Sequence, residues 1–281
     1  MDAYVLVLAG LLGLVIGSFC NVVIHRLPRI IEQEWQDELH LYQQEQAGNE
    51  EATPATTYHH LSLSHPRSHC PHCQTPLRYR DLVPVLSWLA LRGRCHHCHG
   101  RIRLRYPLVE LISAILAVAS VRYFGTDNLS LAVASYGLLV TLLVATLVDW
   151  DSQWLPDRLT LPLLWAGLLI ASLDISPLDI SLHNAVWGAM AGYLSFWLVA
   201  TGFRIFTGRD GLGGGDSKLL AALGAWLGGL LLPTLVLLAA LIGLGIAVWF
   251  RWARGQHGTF PFGPALAASG ALLFCQQALL R

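Results

Sequence analysis

Apolar residues in this chain come in long runs separated by short polar links, and that succession constrains the fold more than anything else. The runs lie at roughly 4–24, 107–121, 130–148, 159–173, 184–203, 217–232, 233–250 and 263–280. A bilayer core about 30 Å thick takes about 20 apolar residues in a helix. Only 13% of this chain is charged, about half the soluble average. The expectation is an all-α polytopic membrane protein with about eight transmembrane helices. Several runs fall short of a full span, and the split between the sixth and seventh rests on Pro233 and the Gly228-Gly229 pair, so seven helices remain the alternative. The first run, Tyr4 to Ile24, follows Asp2 with no lysine or arginine before it and reads as an uncleaved span, not a secretory signal.

Basic residues sort by loop. If the Leu27–Tyr106 loop is cytoplasmic, alternation puts Arg158, Arg204, Arg209, Lys218, Arg251 and Arg254 on that side and leaves only Arg122 and Arg281 outside. Both termini then face away from the cytoplasm. Zero net charge gives no sign of nucleic-acid binding. The expected organisation is a first transmembrane helix over 1–26, a cytoplasmic loop over 27–106 and a helical membrane core over 107–281.

The loop has two halves. Ile30–Thr57 reads either as an interfacial helix followed by a flexible Thr/Ala/Pro segment or as a solvated spacer. The second half carries Cys70-Pro71-His72-Cys73 and Cys95-His96-His97-Cys98, two C-x-x-C knuckles of the kind that set four thiolates tetrahedrally around zinc. A small loop builds little core, and a closed four-cysteine site supplies folding energy as a structural metal. Iron on the same cysteines is the alternative, and the neighbouring histidines read as surface or supporting groups. Cys20 and Cys275 lie within apolar runs and read as packing.

Carboxylates at the membrane edge are the remaining signal. Gly213-Gly214-Gly215-Asp216-Ser217-Lys218 opens one apolar run, and Asp149, Asp151 and Asp157 close another; topology puts both sets on one face. Ionisable groups beside hydrocarbon are costly and mark functional sites. Two carboxyls sharing a site cannot both ionise easily, so one acts as base on water while the other donates a proton, which is aspartic proteolysis. Asp157 after Pro156 reads as a helix cap and Asp151 as solvated, leaving Asp149 as the partner of Asp216. A cap is the structural alternative for Asp216 too. A phosphate loop is disfavoured because no Gly-Lys-Ser/Thr ending follows the glycines.

These residues resemble the GxGD membrane aspartic proteases, and within them the bacterial type IV prepilin peptidases. The resemblance is carried by Gly17-Ser18-Phe19-Cys20-Asn21-Val22-Val23-Ile24-His25-Arg26-Leu27-Pro28, the paired Cys-x-x-Cys loop and Tyr106-Pro107-Leu108-Val109-Glu110. It continues through Asp149 to Leu155-Pro156-Asp157, Gly213-Gly214-Gly215-Asp216 with Lys218, and Pro261-Phe262-Gly263-Pro264, a wall of the cleft or a tight entry to the last helix. It implies catalysis by Asp149 and Asp216, with Gly213, Gly215 and Lys218 in support and zinc on Cys70, Cys73, Cys95 and Cys98. It implies a bacterial inner-membrane location with the active site facing the cytoplasm, and as substrates the prepilins and pseudopilins of type IV pili and type II secretion. Their basic leaders would be cut after glycine. The zinc loop further implies methylation of the new N-terminus from S-adenosylmethionine. Asn21, Arg26 and Glu110 are candidates for that second activity, with interhelical hydrogen bonding and snorkelling as their structural alternative. Two rival classes are a non-catalytic, zinc-organised assembly protein of a pilus or secretion system, and an ion-coupled transporter, which would want its acids nearer mid-membrane.

Overall fold

A computed structural model describes residues 3–46, 61–208, 213–254 and 260–280. Among these residues the secondary structure is helical, with two isolated bridges and no strand. In order the α-helices are α1 (Ala3–Gln46), α2 (Leu86–Ala90), α3 (Arg105–Phe124), α4 (Leu129–Ser152), α5 (Asp157–Ser172), α6 (Leu182–Thr207), α7 (Gly214–Leu227), α8 (Leu232–Arg254) and α9 (Gly263–Leu279). All but α2 coincide with the apolar runs. Among the described residues five segments are long and apolar enough to cross a membrane: α1, α3, α4, α6 and the stretch Gly229–Trp252 containing α8. At 16, 14 and 17 residues, α5, α7 and α9 are shorter.

The chain forms two compact units. Val7–Val118 pairs α1 with α3. Gly13 and Gly17 let the backbones close up: a Cβ on Gly13 would lie 2.6 Å from Ala114 Cα, and one on Gly17 2.7 Å from Glu110 Cα. Small residues at such crossings are the usual way helices pack in lipid, where hydrophobicity provides no drive. The Ser113 hydroxyl adds a bond to the Gly13 carbonyl at 2.7 Å.

Helix α1 differs from the expectation of a span followed by a separate interfacial piece. It continues unbroken through Pro28 for 44 residues. At about 1.5 Å per residue that is about 66 Å, twice the bilayer core. Beyond Pro28 the sequence holds Glu, Gln, Leu, Ile and Arg with no glycine before Gly48, so nothing stops the helix, and Ile24, Leu27, Ile30 and Ile31 stay buried on one side. The expected Thr/Ala/Pro segment lies outside the described residues.

The second unit, Ala119–Arg281 with Met1–Leu6, is organised around α7. Ten of its residues, Ser217 and Leu219 through Leu227, are buried, walled by α5, α6 and α9. The α6 contact is backbone to backbone: Gly188 meets Gly224 directly, and a Cβ on Gly192 would stand 2.6 Å from the Leu220 carbonyl oxygen. Against α5, the Trp226 indole donates to the Leu163 carbonyl at 2.9 Å and fills the space over Gly167. Gly228, at φ +77°, ends α7, and a short 3-10 turn over Gly229–Leu231 leads into α8, so the sixth and seventh runs are separate helices.

Candidate active site and metal centre

Asp149 sits in the last turn of α4, where Gln153 takes a left-handed φ of 58° and closes the helix with an N–H bond to the Asp149 carbonyl at 2.8 Å. The chain then runs through buried Leu155 and Pro156 into α5, with Pro156 at the N-cap and Asp157 as the first helical residue. Asp157 therefore does not cap the helix. It holds Lys218 instead, its two oxygens 2.5 and 2.6 Å from Nζ. This ion pair ties the start of α5 to the start of α7.

Asp216 lies in the first turn of α7. The N-cap is Gly213, whose carbonyl accepts the Asp216 N–H at 3.1 Å, so the capping alternative for Asp216 is not realised. Asp149 is 3% exposed, and one of its oxygens accepts the Gly263 N–H at 3.0 Å. That amide is at the start of α9, where helix N-termini offer unpaired donors to an anion.

Leu155 is the wedge at the junction. A Cβ on Gly215 would lie 2.7 Å from both Leu155 Cβ and its carbonyl oxygen. One on Gly263 would lie 2.7 Å from Leu155 Cδ1 and 2.6 Å from the Asp149 carboxylate. The closing turn of α4 and the starts of α5, α7 and α9 thus meet at one end of this unit. Trp150 and Phe260, both packed at a tilt against Phe250 with ring centroids 5.6 and 5.5 Å away, form an aromatic cluster at the same end, as at a membrane–water interface. Gly263 is the site residue that sequence reasoning placed only as a wall or a tight helix entry; a glycine immediately ahead of Pro264 in the first turn was its signal.

In the other unit, the sulfur atoms of Cys70, Cys73, Cys95 and Cys98 all lie within 4.8 Å of one another. Tetrahedral Zn–S bonds of about 2.3 Å put the sulfurs at the corners of a tetrahedron whose edges are about 1.6 times the bond length. The Cys70 Sγ to Cys98 Sγ distance of 3.8 Å matches such an edge. The two knuckles repeat one set of bonds. His72 N–H and His97 N–H each reach the sulfur two residues back at 3.4 Å. Gln74 N–H bonds the Cys70 carbonyl as His99 N–H bonds that of Cys95, at 2.9 and 3.1 Å, and both Gln74 and His99 have φ 56°. The sequence carries a trace of this repeat beyond the cysteines, with His72, Leu77 and Arg78 matched in register by His97, Ile102 and Arg103. Bonds from Thr75 hold the Cys73 thiol down to about 6. Although the Gly100 amide pulls the other way, lost solvent and the neighbouring Cys73 push Cys98 up to about 11. Four thiolates this close need a cation between them, and the donor set fits zinc.

The three polar residues considered for a second activity have structural partners. Asn21 Nδ2 bonds the Tyr106 carbonyl at 3.0 Å, Arg26 clamps the Ser62 and Pro66 carbonyls at 2.9 and 2.7 Å, and buried Glu110 accepts the Val85 N–H at 2.7 Å.

Acids at converging helix ends, in a helical chain with five segments able to cross a membrane and four cysteines able to hold a metal ion, make a candidate aspartic-protease site in a polytopic membrane protein. Family comparison agrees: residues 11–124 match the bacterial Peptidase A24 N-terminal domain and residues 136–248 the type IV leader peptidase family. The chain belongs to this family, whose peptidases are aspartic proteases. A prepilin leader peptidase/N-methyltransferase of Burkholderia pseudomallei (strain 1026b) is 46% identical over 272 residues, 95% of this chain and 84% of that relative. One from Aeromonas hydrophila is 47% identical over 266 residues (94% and 88%), and one from Neisseria gonorrhoeae 40% over 280 (98% and 91%). No solved structure matches.

Proposed function

We propose that this chain removes the basic leader from prepilins and pseudopilins after glycine, at the cytoplasmic face of the bacterial inner membrane, with Asp149 and Asp216 as the catalytic pair. The observation that supports the reading is the junction at Leu155, which packs against Gly215, the residue before Asp216, and against Gly263, whose amide binds the Asp149 carboxylate. The pair shares one proton. The ionised member takes a proton from water as its oxygen attacks the scissile carbonyl, and the protonated member donates to the carbonyl oxygen. Collapse of the resulting diol breaks the C–N bond as a proton passes to the leaving nitrogen. The Gly263 amide fixes one Asp149 oxygen, and the Asp157–Lys218 pair and Gly215 hold the α7 start in register. The arginine distribution supports the cytoplasmic orientation.

Zinc on the four cysteines is structural, since closed coordination leaves no open position for chemistry. Methylation of the new N-terminus from S-adenosylmethionine is the second activity proposed, on the strength of the relatives' names. The described residues hold no strand and so supply no βαβ crevice.

The test is mass spectrometry of a prepilin-like substrate with a basic leader, a Gly-Phe junction and an apolar helix, incubated with purified protein and S-adenosylmethionine. Wild type should release the leader and add one methyl. Asp149→Asn and Asp216→Asn should release none, and equal cleavage by either variant would remove that residue from the mechanism.

A further inference from the structure

Helix α2 carries none of the acids or cysteines of the two candidate sites, yet it is held firmly. Its N-cap, Val85, adopts φ 57°, ψ −48°, a conformation a β-branched residue avoids, and its N–H is pinned by the Glu110 carboxylate at 2.7 Å. Glu110 lies five residues inside α3, a helix long and apolar enough to cross the membrane. Five residues are about 7.5 Å of helix, so the start of α2 is level with the second turn of α3. At that level Leu86 and Leu89, one turn apart on the same face, are 64% and 58% exposed, and Leu82 and Val83 extend the apolar edge.

Beyond its end α2 leads straight into a cavity of about 270 Å³. Leu91, the C-cap, forms one wall, and Arg92, Arg94, Cys95, His96 and His99 form the rest. Arg92 and Gly93 are both left-handed, at φ 51° and 67°, and the turn is fixed by Trp88, which packs on Gly93 and donates to the Ile102 carbonyl at 3.3 Å. Neither guanidinium has a hydrogen-bond or ion-pair partner among the described residues. Across residues 61–106 there are eight arginines and one acid, Asp81. Such a surface repels a basic peptide and suits an anion.

We infer that the metal module lies on the bilayer its own helices cross, with Leu86 and Leu89 in the acyl boundary and the Arg92/Arg94 cavity holding the phosphate of an anionic phospholipid. An apolar ridge with arginines on its watery flank is the pattern of an interfacial anchor, and each basic residue near an anionic surface contributes about fivefold in partitioning, so the pair contributes about 25-fold. The inference rests on membrane insertion alone and stands whether or not the chain is a protease.

Hydrogen exchange of residues 82–95 tests it, using the full chain in nanodiscs of phosphatidylcholine or of phosphatidylcholine with one-third phosphatidylglycerol. Exchange should slow roughly tenfold or more in the anionic discs and recover in 0.5 M salt. R92E/R94E should abolish the difference while zinc content stays unchanged, and L86S/L89S should weaken it in the same way. Equal exchange of wild type in the two discs would overturn the inference whatever the variants do. Inorganic phosphate giving the same protection in neutral discs would also overturn it, by making the cavity a site for a soluble anion.

Discussion

Gly215→Ala isolates the geometry proposed for the acid pair. The added Cβ would be 2.7 Å from the Leu155 carbonyl oxygen and equally close to Leu155 Cβ, while ordinary contact begins at 3.4 Å. The start of α7 or the Leu155 segment must therefore move by about 0.7 Å, the difference between those distances. The oxygen is backbone and Leu155 is buried between Gly215 and Gly263, so neither rotates out of the way. Overpacking of this kind costs about 1–3 kcal/mol, too little to unfold a bundle with α7 at its centre. Its effect on chemistry is larger, because Asp216 is the next residue and a misplacement of about 1 Å costs about 100-fold in rate. Gly214→Ala is the control: no atom lies within 4 Å of its Cβ, and alanine in the first turn of a helix stabilises slightly. Initial rates of leader release should fall about 100-fold for Gly215→Ala and stay within about twofold for Gly214→Ala, with the melting temperature of each within a few degrees of wild type. Full activity in Gly215→Ala, or equal losses in both variants, would refute the Leu155 junction as the device that sets the pair.

Gly192→Leu should separate α6 from α7 at the Leu220 carbonyl and lower stability in detergent by about 3 kcal/mol or more, read as loss of folded monomer on heating. Asp157→Asn and Lys218→Met remove a pair whose side chains are 54% and 30% exposed. Each should therefore cost no more than about 1 kcal/mol, and a double-mutant cycle should show a small coupling. Chelation, or Cys95→Ser, would remove the zinc proposed for the four cysteines, and a structural zinc of this kind contributes about 10–16 kcal/mol. Either should expose the segment 70–98 to protease while the α4–α9 bundle keeps its helical circular dichroism. Glu110→Ala strands the Val85 N–H and should cost about 1–3 kcal/mol, read as faster proteolysis within 82–94, whereas Glu110→Gln keeps an acceptor oxygen and should be near neutral.

What the sequence discloses and what it hides divide along a physical line. Helix positions are legible because apolar runs are long, and the break before α8 because Gly228 must take a positive φ. The cysteines are legible because metal geometry dictates their spacing. The continuity of α1 through Pro28 is hidden: proline signals a break, but a helix whose following residues are good formers, buried on one side, can carry one lost hydrogen bond. Hidden too is the Asp149–Gly263 bond, which joins residues 114 apart through a backbone amide that any amino acid but proline would offer. Only the absence of room for a Cβ there makes glycine necessary, and room is a property of the packed molecule. Asp157 misleads for a similar reason, since a carboxylate after proline matches a cap until its true partner, 61 residues on, is in place.

The shortness of α7 links the fold to the chemistry. Its 14 residues make about 21 Å of helix, roughly 9 Å less than the bilayer core. Such a helix, buried on all sides, cannot bring both ends to the two membrane surfaces, and an end left in hydrocarbon exposes backbone donors or acceptors that must be satisfied. Its C-terminal end is closed: Leu227 and Gly228 are buried, and the Gly228 N–H returns to the Gly224 carbonyl at 2.9 Å. The N-terminal end is different, since Gly213 and Gly214 are exposed. The open donors of the first turn are accessible there beside Asp216, and an extended peptide backbone is the natural group to satisfy them. A full-length α7 would carry this end out into bulk water, where neither the acid pair nor a substrate backbone gains from exclusion of solvent. Lengthening α7 by one turn with three or four alanines after Ala222 should therefore abolish leader-releasing activity, and retained activity would show that the depth of this helix end is incidental.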